Sequence, residues 1–97
     1  MADAALKKKF EAAAADVQKL KKRPEDEDML RLYAQYKQAT DGDVQGERPG
    51  AFSFVDRAKY DAWARLKGTD STKAMEGYVK LVERLKQQTG QSARVEG

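Results

Sequence analysis

Residues Asp41 to Phe54 most narrowly limit what this chain can fold into. The stretch carries Gly42, Gly46, Pro49 and Gly50 and separates two segments whose apolar residues recur at helical spacing. It is too long for a tight helical hairpin. Extended at about 3.3 Å per residue it reaches on the order of 40 Å. The segment before it, about 16 residues as a helix, is only about 24 Å long. The connection can therefore run the length of a bundle and leave its two flanking helices parallel.

Four amphipathic segments fit around that connection. The first places Leu6, Phe10, Ala13, Ala14, Val17 and Leu20 on one helical face and is stopped by Pro24. The second opens in the acidic stretch near Glu25, as suits a helix N-terminus, and runs to about Thr40 before Gly42. The third covers about Asp56 to Leu66 and stops at Gly68; the fourth is capped by Asp70 or Ser71 and runs to about Gln88. The two other connections are short and imply antiparallel neighbours. The expected fold is all-α, an up-down-down-up four-helix bundle, with strand signals confined to the run Ala51 to Val55. One domain is expected over residues 1–90, with 91–97 as a flexible tail.

Composition removes several function classes. The 97 residues contain neither cysteine nor histidine, so a disulfide framework, a thiolate metal site, the usual zinc ligands and the commonest general base are all missing. A reducing, cytoplasmic setting fits that usage. No stretch has the roughly 20 apolar residues of a membrane-spanning helix, and Lys7, Lys8 and Lys9 interrupt what would be a secretory signal. The net charge of +3 suits an anionic partner without naming one. The charges are also mixed: Lys19, Lys21, Lys22 and Arg23 run directly into Glu25, Asp26, Glu27 and Asp28, the pattern of a solvated surface.

Two lysines fall where apolar residues belong. At about 100° per residue, with Met29 at zero, Tyr33 lies at about 40°, Lys37 at about 80°, Leu30 at about 100°, Tyr36 at about 340°, Leu32 at about 300° and Ala39 at about 280°. Arg31, Gln35 and Gln38 take the opposite side. This arc is about 180° wide, broader than the stripe of roughly 100° that one core contact needs. Lys59 similarly falls among Ala58, Ala62, Leu66 and Trp63, and Tyr78 sits mid-arc among Ala74, Val82 and Leu85. Snorkelling is the ordinary explanation for a lysine in such a place, and plain packing for a tyrosine. A charge facing an interior is costly unless paired, and no carboxylate is expected in those arcs on helices two or three. An incoming phosphate is the natural partner for such ammonium groups, with tyrosine offering a face to a base and a hydroxyl to a phosphate oxygen.

The stretch Leu32-Tyr33-Ala34-Gln35-Tyr36-Lys37-Gln38-Ala39-Thr40, followed by Gly42-Asp43, Glu47-Arg48-Pro49-Gly50, Ala58-Lys59-Tyr60-Asp61-Ala62-Trp63 and Leu66-Lys67-Gly68-Thr69, closely resembles the acyl-CoA-binding protein (diazepam-binding inhibitor) family, from about Phe10 to Gly90. The resemblance implies the same bundle and non-catalytic binding, pooling and intracellular transport of medium- to long-chain fatty acyl-CoA esters; a cytoplasmic monomer is assumed. It implies no cofactor beyond that ligand, no metal, no nucleic acid partner and no stable membrane insertion. Tyr33, Tyr36, Lys37, Lys59 and Tyr78 match the family's ligand positions: Tyr33, Lys37 and Lys59 for the ribose 3′-phosphate, Tyr36 for the adenine, and Tyr78 lining the site from the fourth helix. Met29, Leu30 and Ala14 resemble the positions along the acyl chain. Gln18 and Val55 stand where relatives often carry lysines, and Tyr60 where many have tryptophan.

Three other readings compete. Lys7 to Lys9 and Lys19 to Arg23 suit a nucleic-acid-binding module, but the adjoining acidic blocks count against it. A thioesterase would need an activated nucleophile, and Ser53, Ser71 and Ser92 stand in no triad or elbow. A protein-interaction domain is the third.

Overall fold

The structure, a computed structural model, describes residues 4–88. It contains α1 (Ala4–Val17), α2 (Asp26–Asp41), α3 (Phe54–Ala64) and α4 (Ser71–Gln88), with no strand among the described residues. The proposed tail at 91–97 lies outside them. Cross-helix bonds fix the directions. Asp16 near the end of α1 pairs with Lys86 near the end of α4 at 2.9 Å, so these two run parallel. Asp28 at the start of α2 pairs with Arg84 late in α4 at 2.9 Å, so these run antiparallel. The Trp63 indole N–H at the end of α3 donates to the carbonyl of Gly42, just past α2, at 2.8 Å, making α2 and α3 parallel. The topology is up-down-down-up, as the long connection allows.

The termini follow local chemistry. α1 ends at Val17, seven residues before the expected stop at Pro24, and so leaves Leu20 outside the helix: the chain tightens into i→i−3 bonds at Gln18, Lys19 and Leu20. Asp26, Glu27 and Asp28 fill the first turn of α2, where the helix dipole favours negative charge. Gly42 ends α2 with φ at 84°, a conformation that other residues rarely adopt. Asp70 caps α4, its carboxylate accepting the Lys73 backbone N–H at 2.8 Å. The start of α3 differs from expectation. Phe54 and Val55, read from sequence as strand-like, are its first two residues, and the Arg57 N–H already donates to the Ser53 carbonyl at 2.8 Å.

The core is Phe10 and Ala13 of α1, Leu32 and Ala39 of α2, and Ala74, Tyr78, Val82 and Leu85 of α4. α2 is the central helix, packed on α4 along one face and on α3 along another. That position corrects the placement of Gln38 on the solvent side. It is 1% exposed, and its amide donates to the Asp43 carboxylate at 2.9 Å and the Thr69 carbonyl at 2.8 Å. Asp43 also accepts the Gly68 N–H at 2.8 Å. Buried amides need such partners, and these three bonds tie the end of α2 to the α3–α4 turn. Gly77 of α4 faces Gln35 so closely that a Cβ there would lie 2.9 Å from its side-chain amide atoms. No helix among the described residues is long and apolar enough to cross a membrane.

Candidate functional site

The width of the α2 arc has a structural cause. Leu32 and Ala39, on one edge, enter the core, while Met29 and Tyr36 are 38% and 42% exposed. The exposed part of the arc faces a cavity of about 790 Å³ between α1, α2 and the start of α3, within the roughly 300–1,000 Å³ of small-molecule sites. Its apolar wall includes Ala14 and Val17 of α1, Met29 and Leu30 of α2, and Phe54 and Val55 of α3. Phe54 and Val55 are otherwise largely exposed, and Phe52 beside them is more so.

The other wall is aromatic and cationic. Tyr33, Tyr36, Tyr78 and Lys59 all line the cavity. Tyr36 stacks on Phe10 with ring centroids 5.4 Å apart, and Tyr78 meets Phe10 edge-on at 5.1 Å. Tyr78 is nearly buried, and burial pushes its phenol above the usual range, with Tyr36 nearby adding to the shift. The Lys59 ammonium stands over the Tyr33 ring, 5.3 Å from the centroid, at cation–π distance. Among the described residues no carboxylate is recorded in an ion pair with it.

Seven of the eight candidate residues thus line one cavity: Ala14, Met29, Leu30, Tyr33, Tyr36, Lys59 and Tyr78. Lys37 does not. Its ammonium lies 5.0 Å over the Trp63 ring and 2.5 Å from the Asp41 carboxylate. The hydrogen bond that Lys37 donates to Asp41 holds its ammonium above the ordinary range and holds the Asp41 carboxyl below its own. The expectation that no carboxylate shares that arc is therefore wrong for α2. Ending the helix at Thr40 hid the partner: α2 continues through Asp41, which is four residues from Lys37 and so on the same side of the helix.

Sequence reasoning also missed Arg23 and Phe54 as lining residues, whereas Gln18 and Val55, noted as departures from relatives, do line the cavity. Arg23 is held at the rim by Asp26 at 3.1 Å. Nothing in helical periodicity points to it, since it lies outside any helix. Phe54 was legible only to a reader who started α3 two residues earlier. Chemically, the cavity combines a greasy trough with an aromatic, cationic end, and among the described residues no group of acids suited to a metal occurs.

Comparison with known proteins agrees with this arrangement. The family model described as "Acyl CoA binding protein" matches residues 7–82. An acyl-CoA-binding protein of Brassica napus is 46% identical over 88 residues, covering 91% of this chain and 96% of the relative. The crystal structure of acyl-CoA-binding protein 2 of Oryza sativa superposes with a TM-score of 0.83 at 38% identity, over 92% of this chain and 99% of that one. Enoyl-CoA delta isomerase 2 of Rattus norvegicus is 43% identical over 93 residues, 96% of this chain but only 24% of the relative.

Proposed function

This chain belongs to the acyl-CoA-binding protein family, and from that premise we propose that its cavity holds one medium- to long-chain fatty acyl-CoA ester, which the protein pools and carries without chemical change. The observation that carries the proposal is the cavity of about 790 Å³ with an apolar trough at one side and Lys59 on Tyr33 at the other. A fatty acyl-CoA has the same division, a hydrocarbon tail and a polyanionic head.

The tail supplies most of the gross affinity. A palmitoyl chain moved fully from water gains about 11 kcal/mol, from roughly 14 methylenes at about 0.8 kcal/mol each. Ordering that chain and immobilising the ligand offset part of the gain. Ala14, Met29 and Leu30 receive the tail in this reading. Charge-assisted hydrogen bonds to the head add roughly 1.5–3 kcal/mol each. Lys59 and Lys37, with the Tyr33 hydroxyl, hold the 3′-phosphate, Tyr36 packs against the adenine, and Tyr78 closes the floor. Both halves of the ligand are needed, so free CoA and free fatty acid bind far more weakly than the ester.

No catalysis is assigned. The rat isomerase contains a region like this chain as a minor part of its length, and the sequence offers no histidine or cysteine to activate water or a nucleophile. We place the protein in the cytoplasm as a monomer, a setting in keeping with its lack of cysteine.

Titration calorimetry with palmitoyl-CoA tests the site. Lys59→Ala and Lys37→Ala should each weaken binding while leaving the melting temperature nearly unchanged. Unaltered affinity in both variants would overturn the assignment. Incubation with palmitoyl-CoA should release no thiol, and steady thiol release would overturn the carrier reading.

A further inference from the structure

We infer that Asp41 is a built-in competitor for Lys37, an affinity-setting residue that the ligand's phosphate must displace. The inference rests on the reading of Lys37 as a phosphate anchor. It starts from the contrast between Lys37 and its neighbours. Tyr33 and Tyr36 on the same helix and Lys59 across from it all reach the cavity, but the Lys37 ammonium is held outside its lining by Asp41 at 2.5 Å and by the face of Trp63 at 5.0 Å.

Helix stability gives a poor account of Asp41. It is the last residue of α2, where the negative end of the helix dipole disfavours a carboxylate. Its pairing with Lys37 also runs in the less favourable order, with the base N-terminal to the acid. Its effect falls on the lysine instead. Two anions cannot share one ammonium at hydrogen-bonding distance without repelling each other. When a phosphate reaches Lys37, the carboxylate must either turn away or remain and oppose it. The Asp41 side chain is 48% exposed and Lys37 30% exposed, so the carboxylate has water to turn into and the exchange is a small rearrangement. Either course leaves the affinity lower than an uncommitted lysine would give.

The experiment titrates palmitoyl-CoA into the wild type, Asp41→Asn, Lys37→Ala, the double variant, and Glu83→Gln as a control. Glu83 is an exposed carboxylate of α4 that does not line the cavity, so its removal reports the general effect of one negative charge fewer. Asp41→Asn should tighten binding about two- to fivefold, the range an exposed ion pair is worth. Glu83→Gln should do less, and the gain from Asp41→Asn should largely vanish in the Lys37→Ala background. An affinity for Asp41→Asn that is unchanged or weaker, or a gain that Glu83→Gln matches or that survives without Lys37, overturns the inference. These outcomes leave the site reading intact if Lys37→Ala itself weakens binding. An unchanged Lys37→Ala overturns the phosphate-anchor role and the inference with it.

Discussion

Lys37 and Lys59 look equivalent from sequence, one on each of two parallel helices and each within an apolar arc, yet the fold gives them different starting states. Lys59 stands over Tyr33 in the cavity wall, with no ion-pair partner recorded among the described residues. Lys37 rests on Trp63 outside that wall and is already neutralised by Asp41. Under the proposed function, a ligand would meet a ready cation at one and would have to win the other. The affinity a charged side chain contributes is thus set by what it gives up as well as by what it gains.

The largest effect should separate the two directly. Lys59→Ala removes a cation with no carboxylate to surrender, so palmitoyl-CoA affinity should fall by about 10- to 100-fold, following from roughly 1.5–3 kcal/mol for a charge-assisted bond. Lys37→Ala removes a bond whose gain is offset by the loss of Asp41, and affinity should fall by only about three- to tenfold. Calorimetry on the two variants side by side decides the matter. A loss for Lys37→Ala equal to or greater than that for Lys59→Ala would break the distinction.

The next effect probes what Lys37 rests on. Trp63 presents its ring to the lysine, and its indole N–H holds the Gly42 carbonyl at 2.8 Å. Trp63→Phe keeps an aromatic face but loses that bond, worth about 1 kcal/mol net. The melting temperature should fall by about 4–8 °C, as expected for a domain of this size. Palmitoyl-CoA affinity should change less than in Lys37→Ala, because Asp41 still holds the lysine. Differential scanning calorimetry together with titration reads both numbers. A large loss of affinity with an unchanged melting temperature would show that the indole serves the ligand rather than the α2–α3 seam.

The same pair of lysines shows what was legible beforehand. The direction of Lys59 and the shared face of Met29, Tyr33 and Leu30 follow from 3.6-residue periodicity, because that property belongs to one helix alone. That the long connection can span the bundle follows from chain length. What periodicity cannot supply is which helix lies against which face. Gln38 is polar and opposite the main apolar arc, so it reads as solvated. It is buried because α2 is sandwiched between α3 and α4, and because Asp43 and Thr69 accept its amide protons. Asp41 was lost for a smaller reason. A helix end misplaced by one residue concealed an i, i+4 partner, and with it the different state of Lys37. Phe54 and Val55 have high strand propensity, but a helix start beside the cavity overrides it.

The smallest effect concerns acid, and it too falls on the Lys37 side. Three carboxyls there sit below their ordinary range: Asp41 through Lys37, Asp43 chiefly through the Gly68 N–H and then Gln38, and Asp61 chiefly through Arg48. Arg48 meets Asp61 with two bonds of 2.8 Å and so ties the long connection to α3. A carboxyl whose folded pKa is depressed contributes stability that is fully present above its unfolded value, about 3.8, and is lost as pH falls through the lower folded value. These groups should therefore leave stability unchanged between pH 7 and pH 5 and weaken the fold only below about pH 4. Because all three are at the surface, solvent screens each contribution. Asp61→Asn should then lower the melting temperature at pH 7 by less than Trp63→Phe does, and should make the acid-side decline shallower. Melts of wild type and variant from pH 7 to pH 2.5 check this. A variant curve parallel to the wild type through the acid limb would show that the Arg48–Asp61 clamp carries none of the pH dependence, leaving Asp41 and Asp43, the two carboxyls at the end of α2, to account for it.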